Sequence, residues 1–393
     1  MNAIRNATRT LAAFAVLLLI PAAAPRAYAQ GGTLVTWGYS QFSVGSPLPT
    51  GTYSSVAAGD AHVLAIRTDG TLISWADPGW VDPYPYGVVS GTPAGTFSSV
   101  AVGRWHSVAI RTNGTLASWG RNNRGQVSGT PAGAFLSVSA GGDSSVAIRA
   151  DGTLVSWGDN FYGQVSGTPA GTFSSVALGL SYGVAIRTDG TLVSWGDNYA
   201  GLVTTTPAGT FSSVTAGAAH CVAIRTDGTL ASWGEDWDYA VSGTPAGTYS
   251  SVAAGISHSV AIRTDGTLAS WGTNQFYVVH SKPAGTFSSV AAAGFYAMAI
   301  VTLTPTQRIQ ALKNAVQALV GAGVPLPANG QSLQAKLDAA LAAVERGDTQ
   351  AALGSLGAFI NQVNSFVRTG RLTPAQGQAL INAAQAVIDS LTA

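Results

Sequence analysis

The 393 residues are 46% apolar and only 9% charged, with 48 Gly, which suffices for packed cores and excludes a disordered chain. The formal net charge is +1; once Arg5, Arg9 and Arg26 leave with the N-terminal segment, Lys+Arg falls from 19 to 16 against 18 acids, giving −2. No basic surplus then remains to neutralise a phosphate backbone, so nucleic acid is excluded as a partner, and the single Cys221 excludes an internal disulfide framework or a Cys-based zinc site.

Residues 1–29 read as a secretory signal. Arg5 and Arg9 form a positive start, residues 11–20 an apolar stretch too short to span a bilayer comfortably, and Ala27-Tyr28-Ala29 a small-x-small cleavage site. Cleavage near Ala29 implies a secreted, periplasmic or cell-surface protein, with no membrane insertion of the mature chain.

Internal repeats follow. The motif Thr-Leu-x-x-Trp places Trp at 37, 75, 119, 157, 195, 233 and 271, with 38 residues between all but one adjacent pair. The exception carries six extra residues in the Pro- and aromatic-rich stretch 76–89. Each unit reads as a three-stranded antiparallel meander. Around Trp195 the strands are 173–179, 183–188 and 191–195, with Asp189-Gly190 as a two-residue type I′ hairpin turn. Pro207, which cannot donate to a ladder, leaves room for a fourth, outer extended segment around 203–206. One such sheet cannot bury both faces, whereas seven stacked around an axis can. The repeats begin with a lone third strand, 33–37, and end after a second strand, 297–302, so these halves should complete one composite blade. The expected fold is an all-β seven-bladed β-propeller over 30–303.

From 304 to 393 the periodicity becomes helical. Thr304-Pro305 is an N-cap followed by Pro at the first helical position, and Ile309, Leu312, Val316 and Leu319 fall on one face. A second helix runs from Ser332 to Gly347; Asp348 caps a third that Gly370 stops; Thr373-Pro374 opens a fourth. This predicts an all-α four-helix domain.

The repeats vary on one side only. The Asp-Gly turns hardly change between units. Strand parity puts the loop between the first two strands and the loop after the third on the opposite face, and both change in nearly every unit. Three Trp outside the repeat position, Trp80, Trp105 and Trp237, all fall in these loops. Aromatics with Arg and Asn on one face have the composition of a protein-binding hot spot. The predicted binding residues are Arg104, Trp105, Asn123, Arg124, Phe161, Tyr162, Tyr199, Trp237, Tyr239, Phe276 and Phe295. The competing arrangement has these rings packed between neighbouring blades.

At these residues the chain resembles a known group. Ala254-Gly255-Ile256-Ser257-His258-Ser259-Val260-Ala261 and Trp157-Gly158-Asp159-Asn160-Phe161-Tyr162-Gly163-Gln164 look like the regulator-of-chromosome-condensation repeat, over about 32–303. The compact period is more similar to the secreted bacterial β-lactamase-inhibitory propellers (type II). That resemblance implies binding of an enzyme through the same two loops, with Trp105, Phe161, Tyr162, Tyr199 and Phe295 as corresponding contacts. Gly142, Ala218 and Ala219 are small at positions where the resemblance implies a contact ring, and the second unit carries an insertion. Ala358-Phe359-Ile360-Asn361-Gln362-Val363 and Gly370-Arg371-Leu372-Thr373 resemble the FIMAH-type domain of bacterial exported proteins.

Catalytic and metal chemistry is not indicated. His62, His106, His220 and His258 occupy one repeat position, which Ser144, Tyr182 and Tyr296 fill elsewhere, so their spacing belongs to the frame and favours structural hydrogen bonding over metal ligation. Cys221 aligns with Ser107 and Ser259 and reads as a small core residue, on the opposite strand face from His220. The repeat Arg are expected at strand ends as a solvated ring. No cofactor motif occurs. The readings are an exported module that grips a protein and inhibits it where that protein is an enzyme, or a carbohydrate-binding or carbohydrate-active secreted protein. The latter, as a hydrolase, needs two carboxylates about 5–10 Å apart, which no spacing implies.

Overall fold

A computed structural model describes residues 32–38, 48–59, 62–76, 86–274, 277–326 and 330–392. The signal segment and Phe276 lie outside the described residues.

Seven separate three-stranded antiparallel sheets form the propeller. Blade one is Tyr53–Ala58, His62–Arg67 and Leu72–Ala76. Phe97–Val102, Phe135–Gly141, Phe173–Leu178, Phe211–Ala216, Tyr249–Ala254 and Phe287–Ala293 open blades two to seven, and these first strands touch one another around the axis. Blade seven is composite: Leu34–Gly38 pairs antiparallel with Tyr296–Val301, with Leu34 opposite Ile300 and Trp37 opposite Ala297. The expected ring closure is what the chain adopts.

The core lies between blades. The second strand, Val-Ala-Ile in most repeats, is buried on both faces because each sheet is sandwiched by its neighbours. Each apolar cluster of the propeller joins two adjacent blades; Val108 and Ile110 of blade two, for example, pack with Phe135, Val138 and Trp157 of blade three. The repeat Trp does more than fill this core. Trp157 Nε1 donates to the Gln126 carbonyl at 3.0 Å, and Trp195, Trp233 and Trp271 do likewise to Gln164, Leu202 and Ala240, so each indole clasps the outer loop of the preceding blade.

Three local expectations need correction. The hairpins are not type I′: only the Gly takes positive φ, +86° at Gly70, and its N–H donates to Arg67 O. Asp69 stays at negative φ because its carboxylate accepts from both the N–H and the hydroxyl of Thr71, giving a three-residue loop with a left-handed Gly. No fourth strand forms at 203–206, since the N–H groups of Val203 and Thr204 are already taken by Asn198 Oδ1. The repeat Arg are half-buried rather than solvated, and the guanidinium groups of Arg111, Arg149, Arg187, Arg225 and Arg263 each lie over their own blade's first aromatic, as Arg111 does over Phe97 at 5.1 Å.

The histidines form a buried girdle. Nε2 of His62, His106 and His220 meets the hydroxyls of Ser107, Ser145 and Ser259 in the next blade, at 2.6, 2.8 and 2.8 Å. A Cβ at Gly103 would stand 2.3 Å from the His106 ring, so the Gly of the Gly-x-x-His spacing makes room for it. Where Tyr182 replaces His, its hydroxyl reaches Gly217 O and His220 O, with Cys221 Sγ 3.4 Å away in the neighbouring blade. These contacts support the structural reading of His62, His106, His220 and Cys221. His258 breaks the pattern. Its counterpart in blade seven is Ala297, and neither ring nitrogen makes a hydrogen bond of normal geometry. Ala297→Ser should therefore stabilise the protein by about 1 kcal/mol, while Ser259→Ala, which strips His220 of its partner, should cost about 1–3 kcal/mol. Urea midpoints check both; a loss in Ala297→Ser would mean that the site has no room for the hydroxyl.

After the last blade come α1 (Pro305–Gly321), α2 (Gln331–Glu345), α3 (Thr349–Arg368) and α4 (Pro374–Thr392). Thr304 and Gln307 close the predicted cap of α1, Asp348 caps α3 through Ala351 N–H, and Thr373 with Gln376 repeats the box before α4. Ile309, Leu312, Val316, Leu337, Phe359, Val363, Leu380 and Val387 share their core. Among the described residues no helix is long and apolar enough to cross a membrane.

Candidate functional site: the variable face

In blades two to six the two variable loops meet on one face. The N–H of Arg121 donates to Trp105 O at 2.8 Å, that of Asp159 to Asp143 O at 3.0 Å, and that of Glu235 to Ala219 O at 2.8 Å. Each ties the chain leaving the third strand to the loop between the first two.

The outer loop is a repeated clamp. Asn160 Oδ1 accepts from the N–H groups of Val165 and Ser166; Asn122, Asn198, Asp236 and Asn274 hold the same two positions in their blades. The residues that follow the clamp are thrust outward. Phe161 is 81% exposed, Tyr239 and Tyr277 are each 73% exposed, and Trp237 is 59% exposed; Tyr162, Tyr199 and Leu180 are exposed as well. Apart from Leu136, these are all the large exposed hydrophobics among the described residues.

The predicted residues separate into groups. Phe161, Tyr162, Tyr199, Trp237 and Tyr239 form an aromatic arc on blades three, four and five, continued by Tyr277 on blade six. Arg104, Asn123 and Arg124 are exposed in a polar sector on blade two, where Arg124 faces Asp159 at 3.7 Å. Beside it Arg121 pairs with Asp143 at 3.9 Å and lies 5.4 Å from the Tyr86 ring centre. Trp105 is half-buried, its ring 6.3 Å from that of Tyr86, so here the packing alternative applies. Phe295 is half-buried too. Leu180 and Tyr277 were absent from the predicted set. Tyr277 had a signal: six residues after the repeat Trp, blades two to four carry Gly125, Gly163 and Gly201 with φ of +79°, +77° and +75°. Tyr239 and Tyr277 stand at that position with φ of +65° and +64°. A left-handed non-Gly residue costs about 1–2 kcal/mol, and neither ring is buried to offset it.

At the axis, the first loops of all seven blades surround a cavity of about 110 Å³. That is well below the roughly 300 Å³ at which small-molecule sites begin. The four frame His lie beneath this face, and the described residues contain no group of three or more His, Cys, Asp or Glu placed to hold a metal.

The regulator of chromosome condensation (RCC1) repeat matches at residues 97–126, 135–164, 173–201 and 249–277, and the FIMAH domain at 309–389. No curated protein matches the chain. Among solved structures, Prp20p from Saccharomyces cerevisiae is 19% identical with a TM-score of 0.57, covering 73% of this chain and 94% of Prp20p. Human WBSCR16 is 17% identical with a TM-score of 0.54, covering 68% of this chain and 98% of its own. The ectodomain of the Physcomitrella patens receptor kinase CR4 is 22% identical with a TM-score of 0.52, covering 62% and 69%. At these identities the likeness concerns the fold. The chain is thus a seven-bladed propeller in which blades two, three, four and six match the RCC1 repeat, followed by a helical region that matches the FIMAH domain.

Proposed function

We propose that the protein is an exported binding module whose aromatic arc grips another protein. The observation that carries this reading is the pair Tyr239 and Tyr277. Both put a highly exposed ring on a left-handed backbone where neighbouring blades keep Gly. A fold under selection for stability alone has no use for that exchange, whereas backbone strain beside exposed aromatics is a mark of binding sites. The flatness of the axis mouth favours a folded partner over a small molecule. The fold is used this way elsewhere: Prp20p has binding properties toward Gsp1p and histones. Export rests on the composition of residues 1–29. The resemblance to β-lactamase-inhibitory propellers makes an enzyme the first partner class to try.

The test is a capture from culture supernatant followed by calorimetry on variants. Trp237→Ala should weaken the captured complex by about 2 kcal/mol or more. Tyr239→Gly should weaken it as well, yet raise stability by about 1 kcal/mol by releasing the left-handed strain. If both variants bind like the parent, the arc is not the binding face. A supernatant ligand that proves to be a polysaccharide would instead favour carbohydrate recognition.

A further inference from the structure

The aromatic arc has a charge character that the propeller as a whole lacks. The outer loop of blade five reads Glu235-Asp236-Trp237-Asp238-Tyr239, three carboxylates and two rings in five residues. Asp236, Asp238 and both rings are exposed. The loop before it, on blade four, adds Asp197 beside the exposed Tyr199. Neither variable loop of blades four or five contains a Lys or an Arg, whereas the acids of blade three, Asp143 and Asp159, face Arg121 and Arg124 of blade two. The carboxylates of this sector therefore lack the ion pairs that neutralise Asp143 and Asp159. Two of them are held in place by local hydrogen bonds. Hydrogen bonds from Ser242 and then Val241 hold the Asp236 carboxyl below its ordinary range, and Asp197 accepts from the Ser181 hydroxyl at 3.1 Å and the Tyr199 N–H at 3.1 Å.

An exposed indole or phenol ring attracts a cation over its face, and a carboxylate beside it adds directional hydrogen bonding. We infer that the partner meets blades four and five with lysine or arginine side chains, their cationic heads seated on Trp237 and Tyr239 beside the Asp236 and Asp238 carboxylates. This inference rests on the reading of the variable face as a protein-binding surface and names the chemistry that the surface selects. Uncompensated negative charge on a docking face also steers a basic partner toward it and repels an acidic one.

The test uses the full chain and two synthetic probes of equal length, a nona-arginine and a nona-glutamate peptide, titrated by calorimetry. The arginine probe should bind and the glutamate probe should not. Raising the salt from about 50 to 500 mM should weaken binding by about tenfold or more, because surface charge pairs are screened. The double variant Asp236→Asn with Asp238→Asn should weaken it to a similar degree. Asn is the residue that clamps this loop in blades two, three, four and six, so the fold survives the change at 236. Trp237→Ala should also weaken it tenfold or more. Asp151→Asn on the opposite face, where blade two already carries Asn113, should leave binding unchanged. Absence of arginine-probe binding, binding that survives the Asp236/Asp238 double variant, or equal binding of the glutamate probe would overturn the inference. If Trp237→Ala abolishes capture of the natural partner while the charge variant and salt do not, the protein-binding face stands and its cationic preference falls.

Discussion

Acidification from pH 7 to about 5 is expected to unfold the propeller. Burial lowers His62 and His258 to about 3 and His106 and His220 to about 4, with His106 adding to the effect at His62 and His220 at His258. In the unfolded chain each ring titrates near its ordinary value of about 6.5. Between about pH 6.5 and 4 the unfolded state therefore binds up to four protons that the native state refuses. Stability rises with pH wherever the unfolded state holds more protons, so it falls as the pH drops through 6.5. Each ring contributes about 1.4 kcal/mol per pH unit. Four together approach about 5 kcal/mol per unit, comparable with the whole stability of a typical domain, about 5–15 kcal/mol. The Asp of the hairpins, held below their usual range by Thr, act only at lower pH. Thermal melts from pH 8 to 4 should show the slope. His258→Tyr, which adopts the residue of blades four and seven at this position, should reduce it by about a quarter. A flat melting temperature between pH 7 and 5 would show that the rings do not resist protonation as their burial requires.

Removal of residues 32–38 should be as damaging. The strand Leu34–Gly38 supplies five register pairs to Tyr296–Val301, and Gly32 exchanges two hydrogen bonds with Tyr53 in blade one. Leu34 and Trp37 are buried, and the Trp37 indole donates to Val278 O at 2.9 Å. Loss of a buried Trp alone costs about 3–5 kcal/mol, and Leu about 2–5 kcal/mol. The deletion also bares the edge of Tyr296–Val301, a template for pairing between molecules. The truncated protein should melt at much lower temperature and aggregate on heating. A synthetic peptide spanning 30–40, added in trans, should restore part of the loss. An unchanged melting temperature would mean that the composite blade contributes nothing to closure.

Much of this molecule was legible in its repeats. Trp every 38 residues set the blade count, and the orphan half-blades at 33–37 and 297–302 announced their own pairing, because a ring leaves each element one place to go. The helix caps at Thr304, Asp348 and Thr373 were equally plain, since capping is a local exchange of hydrogen bonds. Strand parity alone put both variable loops on one rim.

Tertiary structure decided what depends on neighbours in space. Whether Trp105 or Trp237 points outward follows from Tyr86, which lies beside one and not the other. That the Asn and Asp of the outer loops clamp their own loops shows only once their amide partners five and six residues on are folded beneath them. The type of hairpin depended on a side-chain oxygen outcompeting a positive φ at Asp. Most of all, the isolation of His258 is invisible in its own repeat. Its missing partner is a methyl group at Ala297, supplied by the next blade, because in a propeller each sheet is completed by the one beside it.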